Sequence, residues 1–491
     1  MRLSELLNIA EINFQKSLAD FEVKGLSLNS KEVKPGFIFF SIRGMKTDGI
    51  KFVNEAIKSG AELIIADLRF KTEYLQFDNV LFVDNVRKVM AEISCAFYAK
   101  PTDKLKVIGI TGTNGKTTIS YIVKSILDSN GYKCGLIGTI DYFTGSQKTE
   151  ARLTTPDSID MNRMLSEMVL NGMDFCVMEV SSIALVNSRV HTIKYDTAIF
   201  TNLTSEHMDL HLNMEDYLSA KKILFDTLPE TSLAISNSDD EYGIRILDSF
   251  KGEKKFYSIN NNSDLKAYDI KIGLNGLSFK IEVKGVVHTV NSSLTGRFNV
   301  YNILAAIECG LRFGIEIESI LSAINKFEAA KGRFNRTMLP NGACAIVDYS
   351  HTSDSLKNAI EAAIDVRNSE GKNGRVITLF GCGGDKDRTK RPVMGKIATE
   401  LSDYVIISSD NPRTEDPMKI INDIEKGVDV TENYEIEVDR EKAIKRSIEL
   451  SKKGDIILIC GKGHETYQEV NGVKTHFDDQ EFIQKYSELA K

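Results

Sequence analysis

VIGITGTNGKTTIS, Val107 to Ser120, is the stretch that decides the fold of this chain. Leu105 to Ile110 reads as a buried strand. Ile119, Ile122, Val123, Ile126 and Leu127 then recur at helical spacing, and Asn130-Gly131 supplies a stop. The connecting loop is rich in glycine and hydroxyls. Its backbone N–H groups can cradle phosphates at the positive end of the helix, with Lys116 reaching the terminal phosphates and Thr117 supplying an oxygen to Mg²⁺. The spacing departs from G-x-x-x-x-G-K-[ST], because Ile110 stands where that pattern has its first glycine. An ordinary strand-to-helix turn is the plainer interpretation. Strand, glycine loop, Lys-Thr-Thr and helix in one run favour nucleotide binding over it.

Outward from this loop, short apolar runs ending on polar or glycine residues alternate with helical patterns. They are LKVIGITG, FCVMEVSS, TAIFTNLT and LAISNSDD, then, after Lys331-Gly332-Arg333, ACAIVDYS, RVITLFGCGG, DYVIISSDNP and DIILICGKG. Such alternation predicts mostly parallel sheets with crossover helices. In open parallel sheets ligands bind beyond the carboxyl ends of the strands, and the unusual residues sit there. The first hundred residues mix apolar runs (FIFFSI, ELIIAD, VLFVD) with helical stretches and carry no readable motif. Pro101 and Arg333 mark changes of pattern, which predicts three α/β segments, 1–100, 101–331 and 332–491.

With 491 residues, two to four domains are expected. A composition of 42% hydrophobic and 27% charged residues is that of a globular protein. The net charge of −7 argues against nucleic acid or a membrane surface as the main partner. No apolar run approaches spanning length and no secretory leader is read, so neither membrane insertion nor export is expected. The seven cysteines form no C-x-x-C pair, which fits a reducing cytoplasm and gives no metal framework.

Several residues at the strand ends have chemistry beyond turn formation. Glu179 and His207 follow consecutive predicted strands, where both can reach a metal, although a lone histidine is more often structural. Lys221, in a helix predicted over Tyr217 to Phe225, reads as a solvated surface lysine. Arg413, on the proline-stiffened turn SSDNPRTEDP, is either surface charge or a planar fork for a carboxylate.

GTNGKT (Gly112 to Thr117) resembles the ATP loop of the Mur ligases, the peptide synthetases of cell-wall precursor assembly. The likeness continues through TTPDS, MEVSS, TNLTSEHMDLH, YLSAKKILF, GRFNVYN, VDYSHTSDSL, FGCGGDKDRTKRP, DNPRTEDP and GKGHETYQ, ordered over nearly the whole chain. The pattern is most similar to the tripeptide synthetases, the MurE type. That implies a uridine-binding α/β domain, a central P-loop ATPase-like domain and a C-terminal Rossmann-like domain. It also implies ATP-driven ligation of a diamino acid to UDP-N-acetylmuramoyl-L-alanyl-D-glutamate through an acyl phosphate, by a cytoplasmic monomer acting on small molecules in peptidoglycan synthesis.

The same resemblance assigns roles by position. ATP falls to Gly112, Thr113, Asn114, Gly115, Lys116, Thr117 and Thr118, with Asn299 and Asn302 near the base and Arg333, Asp348 and His351 closing from the C-terminal segment. Mg²⁺ falls to Thr117, Glu179, His207 and Lys221, the last as a carbamate. The nucleotide-sugar acceptor falls to Leu28, Ser30, Met45, Lys46, Thr47, Thr154, Thr155, Ser181, Asn187 and Arg189. The incoming amino acid falls to Lys386, Asp410, Asn411, Pro412, Arg413, Gly461 and Glu465.

Four departures stand out: Asn187 where glutamine is usual, Ile183 for histidine, Ser353 for the proline of D-Y-A-H-x-P, and Lys386 for the arginine of G-G-D-R-D. The lost proline is expected to loosen its turn. An arginine fork at 413 implies meso-diaminopimelate, whose second carboxylate L-lysine lacks, while Lys386 leaves meso-lanthionine and L-lysine as alternatives. Folate-polyglutamate ligases, a plain nucleotide switch or kinase, and a non-catalytic relative are the competing readings. The first two have no use for the DNPR and GKGHE pair.

Overall fold

The computed structural model describes residues 1–12, 19–44, 47–72, 77–145, 147–204, 211–369, 371, 373–429 and 433–490. Two compact units emerge. One holds Met1–Gly109, Tyr132–Ala198 and Ala220–Ser232, the other Ile110–Gly131, Ile199–Ser219 and Leu233–Lys491. The segment 101–331 thus contributes to both.

In the first unit, strands Gly25–Ser27, Phe37–Phe40, Ala61–Asp67 and Val80–Val83 form a parallel sheet in that order. Their near-continuous apolar runs follow from burial on both faces. Ile38, Phe40, Leu63 and Ile65 pack with Leu6, Met90 and Ile93 of helices Leu3–Ile9 and Val86–Phe97. The alternate residues Phe39, Ile64 and Ala66 pack with Val53 and Ala56 of helix Val53–Lys58. Pro101 and Thr102 are buried in the one-turn helix Pro101–Asp103, so the first pattern change is packed rather than a free linker. Further on, strands Cys134–Ile137 and Phe175–Glu179 pair in parallel.

In the second unit, helix Lys116–Ser129 follows the phosphate loop and packs on helix Arg297–Arg312. Strands Leu233–Asn237, Glu253–Ser258 and Leu265–Lys266 are parallel neighbours. The last segment is a six-stranded sheet in which Cys344–Asp348, Ile456–Cys460, Val376–Phe380, Tyr404–Ile407 and Tyr434–Ile436 are parallel, with Asn335–Met338 antiparallel at the edge. Because Ile456–Cys460 lies between the two earlier strands, the loops after all three converge at one end, where chain order reverses. Asp348, Gly461 and Gly381 to Lys386 emerge there.

The turn that lacks proline is held by other means. Thr352 N–H donates to Ser355 Oγ at 3.1 Å and Ser355 N–H returns a bond to Thr352 Oγ1 at 3.2 Å. This reciprocal pair starts helix Ser353–Ser369 much as a capping box does, at the position where the family pattern has its proline. The helix expected over 217–225 extends over Met214–Asp226, because Asn213 Oδ1 accepts the Asp216 N–H at 2.9 Å and begins it earlier. Among the described residues no helix is long and apolar enough to cross a membrane.

Candidate active site

The phosphate loop of the second unit is built from close backbone approaches. Gly112 has φ +145°, and a Cβ there would lie 1.8 Å from Thr201 Oγ1, while one on Gly115 would meet Asn302 Oδ1 at 2.5 Å. Thr113 N–H donates to Asn202 O at 2.8 Å, and Asn114 N–H to Asn202 Oδ1 at 2.9 Å. Lys116 Nζ caps the Gly112 and Thr113 carbonyls at 2.9 and 2.8 Å, so the side chain curls over its own loop. Thr117 and Thr118 lie in the first turn of the helix and are buried. Asn302 and Asn299 are bonded to each other at 2.9 Å, and Asn299 Nδ2 donates to Thr295 O at 2.7 Å. They serve the helix start while lining the loop.

A cavity of about 300 Å³ opens beside this loop, a size suited to a small ligand. Asn114, Gly115, Thr118, Asn299 and Asn302 meet Arg333, Asp348 and His351 on its walls. Arg333 donates from Nη2 to Thr117 Oγ1 at 3.0 Å and lies over the Tyr349 ring, while its buried Nε has no hydrogen-bond partner. It is a half-buried cation beside the loop. Asp348 accepts the Phe334 and Ser350 N–H groups at 2.8 and 2.9 Å, and His351 Nδ1 lies 2.9 Å from Tyr349 O.

Three lining features escaped the sequence reading. Asp354 Oδ2 accepts Asn114 Nδ2 at 2.8 Å across 240 residues of sequence. Tyr301 donates to Asp239 at 3.0 Å. Asp240 is pushed up to about 6 by burial. The only signal for the last pair was their place at the end of the LAISNSDD strand.

At the same strand ends sits a second cluster. Arg413 donates from Nη1 to Gly384 O at 2.8 Å, and its Nε stands 3.8 Å from the Glu469 carboxylate. The backbone holds it at φ +52°, fixed by Arg413 N–H to Glu469 O at 3.0 Å, an uncommon conformation for a non-glycine residue. Lys386 is exposed, and its Cγ and Arg413 Nη1 both border Gly383. Asn411 Nδ2 donates to Glu465 at 2.7 Å, and Asn411 O accepts the Gly384 N–H at 2.9 Å. A Cβ on Gly384 would meet Pro412 O at 1.9 Å, and one on Gly461 would meet Asp410 Oδ2 at 2.3 Å. Gly461 N–H donates to Asp348 O, joining this cluster to the cavity beside the phosphate loop. Burial and then Asp410 push the Glu465 carboxyl up.

Glu415 clasps the two loops that carry Lys386 and Arg413. Its carboxylate binds the fully buried Arg391 at 2.9 Å, Arg388 at 2.8 Å and the Asp385 N–H at 2.6 Å. Arg391 hydrogen bonds hold the Glu415 acid at about 2, below its unfolded value near 4.5. The clasp therefore stabilises the fold fully above pH 4.5 and loses its contribution as pH falls toward 2. Glu415→Gln should cost about 3 kcal/mol at pH 7 and flatten the acid limb of stability, as read by denaturant melts between pH 3 and 7.

In the first unit, Glu179 is wholly buried and accepts the Thr139 N–H at 2.8 Å and hydroxyl at 2.9 Å. Thr154 Oγ1 lies 3.2 Å from Thr139 Oγ1. Thr155 Oγ1 donates to Glu179 O at 2.9 Å and accepts the Ser181 N–H at 3.1 Å. Arg189 donates to Thr155 O at 2.9 Å, its buried Nε lacks a hydrogen-bond partner, and burial lowers its pKa. Asn187 caps the short helix Ser182–Val186. These residues form one patch, with Thr139 the member not foreseen.

Elsewhere in this unit Ser30 donates to Glu55 at 2.5 Å, Leu28 is half-buried, and Thr47 O accepts the Gly44 N–H at 3.0 Å. Lys221 is buried at 1% exposure, against the solvated reading, whereas Lys222 pairs with Asp226 at the surface. Met45, Lys46 and His207 lie outside the described residues. Among the described residues no three His, Cys, Asp or Glu side chains cluster. The expected metal set draws instead on a hydroxyl, one carboxylate, a carbamate and His207, and the buried Glu179 carboxylate is the hard oxygen donor that Mg²⁺ prefers.

Family models match in three blocks: the Mur ligase family catalytic domain over residues 22–98, the Mur ligase middle domain over 110–310 and the Mur ligase glutamate ligase domain over 332–463. A protein of Clostridium tetani named UDP-N-acetylmuramoyl-L-alanyl-D-glutamate--2,6-diaminopimelate ligase is 41% identical, over 99% of each chain. A Fusobacterium nucleatum protein of the same name is also 41% identical, over 95% of this chain and 94% of its own. A solved structure of a ligase so named superposes with a TM-score of 0.69 at 30% identity, covering 99% of this chain and 98% of that one. With its parallel sheets, its phosphate loop and this full-length likeness, the chain belongs to the Mur ligase family.

Proposed function

We propose that this chain is an ATP-dependent ligase that adds meso-diaminopimelate to UDP-N-acetylmuramoyl-L-alanyl-D-glutamate, a cytoplasmic step of peptidoglycan precursor synthesis. The observation that carries this reading is the pairing of a nucleotide cavity with the Arg413 and Glu465 cluster through Gly461. In that cluster Arg413 offers a fork for a carboxylate and Glu465 a carboxylate for an ammonium. The names and full-length identity of the relatives support it.

In the reaction, an acceptor carboxylate oxygen attacks the γ-phosphorus of ATP and ADP leaves. The amine of the diamino acid then adds to the acyl phosphate carbonyl, and inorganic phosphate departs as the amide forms. Lys116 and Arg333 neutralise charge on the moving phosphoryl group, and the backbone amides of Gly112 to Thr117 orient it. Thr113, Asn114, Thr118, Asn299, Asn302, Asp348 and His351 line the nucleotide. Thr117, Glu179, His207 and a carbamylated Lys221 are the proposed Mg²⁺ ligands, and the ion, when bound, screens phosphate charge.

Leu28, Ser30, Met45 to Thr47, Thr154, Thr155, Ser181, Asn187 and Arg189 are assigned to the acceptor, with the Arg189 cation suited to one of its anionic groups. Asp410 to Arg413, Gly461, Glu465 and Lys386 are assigned to the diamino acid. The segments 1–100, 101–331 and 332–491 correspond to acceptor, ATP and amino-acid functions, in a monomer.

Phosphate release by the purified protein with ATP, Mg²⁺ and the acceptor, in the presence of meso-diaminopimelate, meso-lanthionine or L-lysine, tests this directly. Turnover with diaminopimelate and a product mass one diaminopimelate residue above the acceptor is expected. Preference for lanthionine moves the substrate while leaving the clamp, turnover with lysine alone sinks the role of Arg413, and no turnover with any sinks ligation.

A further inference from the structure

Lys462, in the GKGHE motif between Gly461 and Glu465, has surroundings unusual for a lysine. Its side chain is fully buried, at 0% exposure. Nζ donates to Asn411 Oδ1 at 3.2 Å, to Glu465 Oε2 at 3.3 Å and to Tyr467 O. The Tyr467 and Phe477 rings lie 5.5 and 6.0 Å away. A lysine this deep loses its hydration, so its charge must be matched by groups around it. The matching charges are those of the pocket. Asn411 bridges Lys462 and Glu465 through opposite ends of its amide, and the same Asn411 Oδ1 accepts the Glu469 N–H at 2.9 Å.

We propose that Lys462 is the built-in countercation of the amino-acid pocket, a positioning residue that holds the Glu465 carboxylate ionised and aimed at the substrate's distal ammonium. The proposal rests on the ligase reading above. Asp410 and Glu465 against Lys462 leave one net negative charge, which a single ammonium neutralises. Without Lys462, two carboxylates face each other in a desolvated pocket and one takes up a proton. The titratable groups facing Glu465 are Asp410 from the DNPR loop, Lys462 from its own turn and Tyr349 from the loop after Cys344–Asp348. Of these only Lys462 lowers the Glu465 pKa, so its loss moves that carboxyl further upward.

The test is Lys462→Gln, which keeps a donor for the Tyr467 carbonyl and removes the charge, compared with Glu465→Gln and the double variant. For Lys462→Gln the KM for meso-diaminopimelate should rise about tenfold, with the KM values for ATP and acceptor within about twofold. The acid limb of kcat/KM should shift up by about one pH unit. In the Glu465→Gln background the same change should add little, because the carboxylate through which Lys462 acts is already gone. Equal losses for all three substrates, an unmoved acid limb, or full additivity in the double variant would overturn the proposal. If Lys462→Gln does not fold, Lys462→Arg serves: it must preserve the acid limb even where packing lowers kcat, and a moved limb there counts against the proposal. A wild-type protein that ligates no diamino acid defeats the ligase reading and this inference together, whereas wild-type turnover with an unchanged variant defeats the inference alone.

Discussion

Arg413→Ala should lower kcat/KM for meso-diaminopimelate by about a thousandfold, roughly 4 kcal/mol, while leaving the KM for ATP nearly unchanged. The magnitude follows from the site. One guanidinium edge is fixed by the Gly384 carbonyl, and the backbone is locked at φ +52° by pairing to Glu469 and Asn471. The fork is thus pre-aimed, and little conformational entropy is lost when it binds a carboxylate. The Glu469 carboxylate, 3.8 Å from Nε, occupies its neighbourhood without the short contact of a paired arginine. Arg413→Lys should recover little, since an ammonium lacks the planar fork. Steady-state kinetics with diaminopimelate and lysine in parallel decide the matter. If lysine is used as well as diaminopimelate by the wild type, the carboxylate clamp is wrong.

Lys116→Ala should reduce kcat by about three to four orders of magnitude, visible as loss of ADP formation in a single turnover. In the structure its ammonium caps the Gly112 and Thr113 carbonyls and is therefore held within the loop whose N–H groups would face phosphate. Removing it takes a cation from the moving phosphoryl group. The Arg333 cation, bonded to Thr117 Oγ1, is left to act alone. The KM for diaminopimelate should change little, because no contact joins Lys116 to the Arg413 cluster among the described hydrogen bonds. An ADP burst of wild-type amplitude would remove Lys116 from the phosphoryl-transfer step.

Much of this was legible in the residues themselves. The strand, glycine loop and helix around Lys116 are local, and the expected strand Leu105 to Ile110 differs from the observed Lys106–Thr111 by one residue at each end. The DNPR arginine was also legible as a candidate fork, because a proline-stiffened turn after a buried strand restricts where its side chain can go. Other features were misread or unread for one reason: burial is a property of the packed chain. Lys221 and Lys222 are neighbours in a helix, yet one is buried and the other bonded to Asp226 at the surface. Nothing in YLSAKKILF distinguishes them without knowing which helix face meets the core.

Sequence by itself determined the alternation of apolar strands and amphipathic helices, the phosphate loop and the order of the motifs. Each of these depends on periodicity and backbone preference within a dozen residues. Tertiary structure alone decided the rest: that Asp354 meets Asn114, and that Lys462 sits wholly buried against Glu465. These depend on hydrogen bonds and desolvation between groups whose partners are set only when the parallel strands bring their carboxyl ends together.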